Sequence, residues 1–280
     1  MMPKTLPDND GFITVTHKGK KNRKITPQDV FAQPQEPDAK SGVFNKRKFE
    51  SAVEDIKSSN FFMNFKENLL NILKNFCSNV ESDYQVDLLQ NVDIICYGLG
   101  HFASCVTARY QLAFLILLKD IVLPRTIGIY DPVFSNEEKS VLEDLCLNVL
   151  DVNEEAKRTA FSKTIFFMPH CDLPLYNNLL WANWSKEPLS KLILIGNSFQ
   201  QYLLDRTGKY LKEKAVYVNY ASKFVTETKI VNDFKFLDIF NNLSVHCFHI
   251  NALNEIPFEV WNDNTEPVYD DADEIIKNVS

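Results

Sequence analysis

A glycine-containing loop between two apolar segments is the first place in this sequence where residue types and spacing suggest chemistry. In "VDIICYGLGHFASC", residues 92–105, Gly98, Gly100 and Ala103 form the pattern G-x-G-x-x-A. Between a strand and a helix, such a loop brings the backbone close to a ligand and turns N–H groups towards an anion. The sequence therefore predicts that the loop Gly98–Ser104 binds an anionic or nucleotide-like group. The alternative is a tight turn that binds nothing.

Polar residues also follow other apolar runs, at positions where ligands commonly bind. In open α/β sheets, ligands bind outside the carboxyl ends of the strands. Asp131 would meet ribose hydroxyls there, although it lies further from the glycines than the roughly 20 residues that are typical. We expect the following residues to converge on one crevice: Gly98, Gly100, His101, Ser104, Asp131, His170, Cys171, Gly196, Asn197 and Ser198.

Catalytic residues cannot be assigned from these patterns. Ser198 lacks the G-x-S-x-G context of a nucleophile and is predicted to cap the next helix. His170 and Cys171 are adjacent, so on an extended chain they point to opposite sides and share a proton poorly. Haem is an alternative ligand because it needs only one axial His or Cys and an apolar pocket. The candidates for that ligand are His170, Cys171, His246, Cys247 and His249.

The elements that position these residues follow from short apolar runs that alternate with helix-like stretches. Several runs are apolar at every position, which is typical of strands buried on both faces of a parallel sheet. A longer apolar segment, 102–120, predicts a buried crossover helix. The fold class is therefore α/β, a doubly wound, mostly parallel, Rossmann-like sheet. The predicted strands are 93–97, 126–130, 147–152, 164–168, 192–196, 215–218 and 245–250.

The flanking regions differ from this domain in composition. Residues 1–45 are polar and contain several prolines, so they predict a disordered arm. The arm contains "HKGKKNRK", which is either a solvated basic run or a nuclear-import signal. Apolar residues take helical spacing over 46–80, as one broken helix or two, so the domain 46–260 begins with a helical extension. Residues 261–280 form an acidic tail.

Composition excludes several classes of protein. The 280 residues are 45% hydrophobic, enough for one large core, and the net charge of −7 argues against a dedicated nucleic-acid binder. We see no run long enough to span a membrane and no secretory signal at the start. The six cysteines are scattered and mostly apolar in context, which is typical of reduced thiols. We expect a cytoplasmic protein, with the nucleus as a further location.

Four stretches together resemble the Sensitivity to Red Light Reduced (SRR-like) family: "CYGLGHFASCVTARYQLAFL", "IYDPVFSNEE", "FFMPHCDLPLYNNLLWANWS" and "LILIGNSF". Asn242 stands where that family usually has an acidic residue. The resemblance implies an intracellular regulator, tied in plants to light input to the circadian clock and in animals to clock-gene expression and haem biosynthesis. It implies no established reaction. Protein partners and a small ligand are expected, and a Rossmann-type enzyme such as an adenosylmethionine-dependent transferase is the alternative.

Overall fold

The computed structural model describes residues 43–77, 91–262 and 264–269. Most of the predicted arm and the end of the predicted acidic tail lie outside these residues. The elements are α1 (Lys46–Lys57), α2 (Asn60–Cys77), β1 (Asp93–Tyr97), α3 (Val106–Val122), β2 (Thr126–Tyr130), α4 (Asn136–Asp144), β3 (Asn148–Val149), β4 (Thr164–Met168), α5 (Leu173–Ala182), α6 (Lys186–Leu189), β5 (Leu192–Asn197), α7 (Phe199–Asp205), α8 (Gly208–Lys214), α9 (Val216–Ala221), β6 (Thr226–Lys229), a 3₁₀ turn (Leu237–Ile239), β7 (Leu243–Cys247), α10 (Ile250–Asn254) and α11 (Glu259–Asn262).

The strands form one seven-stranded sheet in the order β3-β2-β1-β4-β5-β7-β6. Strands β1 to β5 are parallel, with Ile95 of β1 opposite Gly128 of β2 and Phe166 of β4. The last two strands reverse direction, because β7 is antiparallel to β5 and β6 is antiparallel to β7. The predicted doubly wound, mostly parallel sheet is confirmed, and the carboxyl ends of β1, β2, β4 and β5 lie along one edge.

The sheet is central because its middle strands are apolar on both faces. Every residue of β1 and β4 is buried. On one face the sheet packs against α1, α2 and α3 through an aromatic cluster that includes Phe61, Phe114 and Phe240. On the other face it packs against α5 and α9 around Phe166 and Tyr176. Continuous apolar runs in the sequence therefore correspond to strands covered by helices on both sides.

The predicted N-terminal helical extension is two helices rather than one. Asn45 caps α1 by accepting a hydrogen bond from the Lys48 N–H at 3.0 Å. The chain then breaks at Ser58 and Ser59, and Ser59 caps the second helix by accepting from the Phe62 N–H. The side chains of both serines form hydrogen bonds with nearby backbone groups, which compete with the hydrogen bonds of a continuous helix. The break between α1 and α2 therefore falls at these two residues. None of the described helices is long and apolar enough to cross a membrane.

The structure differs from the predicted elements at four places. Residues 215–218 were expected to be a strand, but they lie at the start of helix α9, because a four-residue apolar run fits a buried helix face equally well. The run 147–152 supplies only the two residues of β3. The edge strand β6 was missed, since its sequence TETK is polar and half exposed. The crossover helix begins at Val106, four residues later than predicted.

Candidate functional site

An open cleft of about 160 Å³ lies at the carboxyl ends of β1 and β2. It sits beside the point where the strand order reverses, which is the usual ligand position in doubly wound sheets. Two of the predicted site residues, Gly98 and Asp131, line this cleft. The other predicted residues do not line the cleft, and their positions are described below.

The two glycines of the loop are required by backbone geometry. Gly98 has a φ of +70°, and a Cβ added there would lie 2.4 Å from the Cys171 Sγ. Gly100 has a φ of +78°, but its added Cβ would meet only the Ala108 Cβ at an ordinary 3.8 Å. Gly98 therefore allows both the turn and a close approach of the loop after β4, whereas Gly100 allows the turn alone.

The backbone N–H groups of this loop already bind carboxylates of the chain. The Gly100 N–H donates to Asp131 Oδ2 at 2.7 Å, and the Ala103 N–H donates to Glu138 Oε1 at 2.9 Å. Asp131 also accepts from the Val133 N–H at 3.0 Å and is only 7% exposed. Asp131 is therefore not a free surface carboxylate, because its oxygens hold the glycine loop to the end of β2.

Glu138 is a site residue that the sequence analysis missed. It lies in α4 and forms a reciprocal capping box with Ser135. Its second oxygen lies 3.0 Å from Nδ1 of His101, which is half exposed and does not line the cleft. The S-x-x-E spacing before a helix is the signal that could have identified this capping role. Ser104 lies exposed in the same loop, just ahead of α3.

The loops after β4 and β5 are tied to each other by hydrogen bonds. His170 has a left-handed φ of +56°, and its N–H donates to Asn197 Oδ1 at 2.9 Å. The Asn197 Nδ2 donates to the Cys171 carbonyl at 3.1 Å and to the Tyr202 hydroxyl at 2.8 Å. Asn197 is therefore saturated by the protein itself. The sequence correctly brings these residues together, but the geometry gives them a bracing role.

Local packing and helix capping explain why a glycine stands at position 196 and a serine at position 198. A Cβ on Gly196 would lie 2.7 Å from Tyr176 Cε1, so this glycine makes room for a buried ring. Ser198 accepts from the Gln201 N–H at 3.0 Å and caps α7, which confirms the predicted N-cap. The Ser198 N–H donates to the Asn242 carbonyl at 2.8 Å, so Asn242 supports the start of α7 through its backbone.

Three of the five candidate haem ligands have side chains within hydrogen-bond distance of backbone carbonyls. The Cys171 thiol lies 3.2 Å from the Tyr97 carbonyl, and burial raises its pKa well above the ordinary thiol value, so it is not a thiolate. His170 Nε2 lies 3.1 Å from the Ile239 carbonyl, and buried His246 has Nδ1 3.2 Å from the Leu194 carbonyl. None of the five candidates is among the residues that line the cleft. Within the described ranges, no cluster of three metal-ligating side chains is found.

A buried cluster around Glu227 was not predicted either. Ser198 and Ser244 donate their hydroxyls to Glu227 Oε1 at 2.5 and 2.9 Å, and His246 Nε2 lies 3.6 Å from Oε2. Despite burial, His246 and these donors hold the pKa of Glu227 down at about 2. A carboxylate that accepts at the centre of the cluster is a weak base, so the arrangement clamps edge strand β6 and does not activate Ser198.

One wall of the cleft is a strained loop held by buried asparagines. Glu155 and Ala156 both adopt left-handed backbone angles, with φ of +49° and +59°. The Asn178 Nδ2 donates to the Glu155 carbonyl at 2.9 Å, and Asn183 Oδ1 accepts from the Ala160 N–H at 2.7 Å. Buried amides require such partners, so asparagines on the apolar helix "LYNNLLWANW" were the signal for this support.

The beginning of the predicted acidic tail packs onto the domain. Tyr269 is buried, and its hydroxyl accepts from Asn177 Nδ2 at 2.9 Å. Lys157 bridges the tail to the cleft, because its Nζ lies 2.7 Å from Glu266 and 2.9 Å from Glu155. Residues 264–269 are therefore part of the support for the wall at Glu155.

The fold and the cleft together define an open, doubly wound, Rossmann-like α/β protein with a ligand-sized cleft at the strand-order switch. Comparison with known proteins then gives the family, since a family model described as the SRR1 domain matches residues 72–247. The chain belongs to the SRR1 family, which confirms the resemblance drawn from the sequence.

Three relatives agree with this assignment. The SRR1-like protein of Mus musculus is 39% identical over 61% of this chain and 78% of its own length. The protein SENSITIVITY TO RED LIGHT REDUCED 1 of Arabidopsis thaliana is 35% identical over 77% of this chain and 78% of its own. The SRR1-like protein of Drosophila melanogaster is 30% identical over 73% and 77%. A solved MtNAS variant in complex with S-adenosylmethionine aligns with 72% of each chain, but its TM-score of 0.34 and 13% identity carry no argument.

Proposed function

We propose that this chain is an intracellular regulatory protein whose α/β domain binds a small ligand in the cleft at the ends of β1 and β2. The observation that supports the proposal is the cleft itself, an open space of about 160 Å³ at the strand-order switch. The left-handed wall residues Glu155 and Ala156 support it, since backbone strain of this kind concentrates at functional sites.

The regulatory part of the proposal comes from the family. A relative in Arabidopsis thaliana has a name that refers to red-light sensitivity. We propose that this chain likewise acts in circadian regulation and in the control of haem biosynthesis, through protein partners in the cytoplasm and the nucleus. In this proposal haem is part of the regulated pathway and not the occupant of the cleft, because none of the residues that line it is a His or Cys.

The structure assigns no catalytic residue for a transferase. The side chains that line the cleft include three carboxylates, Asp131, Glu155 and Asp172, but neither a cysteine nor a histidine. Burial keeps the nearest thiol, Cys171, protonated. The adenosylmethionine-dependent transferase therefore stays a prediction from sequence, and binding is the activity that the geometry supports.

A cleft-filling variant tests the proposal. Leu175 lines the cleft from helix α5, and Leu175→Trp would occupy it. Leu203→Trp is the matched control, since Leu203 is a partly buried helical leucine that does not line the cleft. A thermal-shift screen of nucleotides, adenosylmethionine and haem is run on the parent and both variants. A ligand at about 100 times its Kd adds roughly 2.7 kcal/mol of stability.

We expect a ligand from this screen to stabilise the parent and Leu203→Trp but not Leu175→Trp. Cells that lack the protein are then complemented with each variant, and the rhythm of a clock reporter and the haem content are measured. We expect Leu203→Trp to restore both and Leu175→Trp to restore neither. Full rescue by a stably folded Leu175→Trp would show that the cleft has no part in regulation.

A further inference from the structure

We propose that the cleft at the ends of β1 and β2 selects an organic cation with an aromatic or otherwise planar group, and disfavours phosphate-bearing ligands. This rests on the proposed function, since it names the class of small molecule that the same site takes. Asp131, Glu155 and Asp172 line the cleft, and no Lys, Arg or His side chain is among its lining residues. An entering anion would therefore face carboxylates with no cation on the wall to offset them.

The glycine loop does not compensate for this charge. In phosphate-binding loops, free backbone N–H groups supply the positive end of the site. Here the Gly100 N–H is bound by Asp131 and the Ala103 N–H by Glu138. Two built-in carboxylates thus occupy the N–H groups that a phosphate would need, and they add negative charge beside the cleft.

The two cations near the cleft are each paired with carboxylates, and Lys157 is paired with one that lines the cleft. Lys157 is shared between Glu155 and Glu266, and Arg158 binds both oxygens of Glu154 at 2.7 Å. The start of helix α5 brings a partial positive charge, but the carboxylate of its N-cap residue Asp172 lies at the same place. The balance of these groups leaves the cleft negative.

The aromatic lining suits a cation as well. Tyr97 and Tyr130 both line the cleft, and aromatic rings attract organic cations through their electron-rich faces. The Tyr97 hydroxyl donates to Glu154, and burial with this neighbour raises its pKa well above the ordinary tyrosine value. The ring therefore stays neutral and contributes its apolar body to the site.

Two probes of similar size and opposite charge test the selection: benzyltrimethylammonium and benzenesulfonate. Each is titrated into the full chain to about 10 mM, enough to approach saturation for a millimolar Kd. The readout is the NMR shift of the Gly98 amide, which lies in the cleft wall. We expect the cation to saturate with a Kd at least about tenfold lower than that of the sulfonate, a difference of about 1.4 kcal/mol.

A charge reversal at the rim provides the matched variant. Asp172 lines the cleft and is exposed, so Asp172→Lys places a cation at the rim. Glu143→Lys is the control, since Glu143 is an exposed carboxylate on α4 that does not line the cleft. We expect Asp172→Lys to weaken the cation several-fold and to strengthen the sulfonate, and Glu143→Lys to change neither.

Three outcomes would overturn the charge selection: equal or tighter binding of the sulfonate, no saturable shift with either probe, or no effect of Asp172→Lys. Each is separate from a failure of the proposed function. If Leu175→Trp abolishes a ligand from the thermal screen while the probes show the wrong order, the cleft is a site for another class of molecule. If Leu175→Trp changes nothing, the site itself is wrong.

Discussion

Replacing Gly98 by alanine tests the geometry of the loop directly. Alanine there would have to keep a φ of +70° and to place its Cβ 2.4 Å from the Cys171 Sγ. A left-handed backbone costs a residue with a Cβ about 1–2 kcal/mol. Overpacking a buried site by one methyl costs about 1–3 kcal/mol more. We therefore expect Gly98→Ala to lower the free energy of unfolding by about 2–5 kcal/mol, measured by urea denaturation.

Two companion variants separate these contributions. Gly100→Ala has the same backbone penalty but an ordinary 3.8 Å contact, so it should cost only about 1–2 kcal/mol. In the double variant Gly98→Ala/Cys171→Ala the clashing sulfur is absent. We therefore expect the double variant to lose about 1–3 kcal/mol less free energy of unfolding than the two single variants lose together. A Gly98→Ala that costs no more than Gly100→Ala, or strict additivity with Cys171→Ala, would refute the close-approach argument.

Two further predictions concern carboxylates. Asp131→Ala should lower the free energy of unfolding by about 1–3 kcal/mol, because it leaves the N–H groups of Gly100 and Val133 without their acceptor; a loss below about 0.5 kcal/mol in urea denaturation would show that Asp131 does not hold the loop. Glu227 has its pKa lowered from 4.5 to about 2, so its contribution is present above pH 4.5 and is lost as pH falls towards 2. Glu227→Gln should therefore flatten the loss of stability between pH 4.5 and 2, and an unchanged slope would contradict the role of the cluster.

The sheet could be predicted wherever burial dominates the sequence. The runs "DIICY" and "TIFFM" are apolar after their first residue because both faces of β1 and β4 are covered. Prediction failed where burial is partial or local. The edge strand TETK has no apolar signal, and "AVYV" is too short for its periodicity to separate strand from helix.

The candidate site could be located but not interpreted. The rule that ligands bind at the carboxyl ends of parallel strands places Gly98 and Asp131 at the cleft correctly. Sequence could not show that Asp131 binds the loop, because that hydrogen bond joins residues far apart in the chain. The same is true of Glu227, whose partners come from two other segments, the end of β5 and strand β7.

The lysine that bridges Glu155 and Glu266 makes the C-terminal segment a thermodynamic partner of the cleft. A ligand that orders the wall at Glu155 would favour the docking of residues 264–269. Because binding equilibria are linked, the docked segment would raise the affinity for the ligand by the same factor. Amide hydrogen exchange at Tyr269 would measure this factor, since slower exchange in the presence of ligand reports the shared free energy. Occupancy of the cleft would thereby be detectable in residues 264–269, outside the lining of the cleft itself.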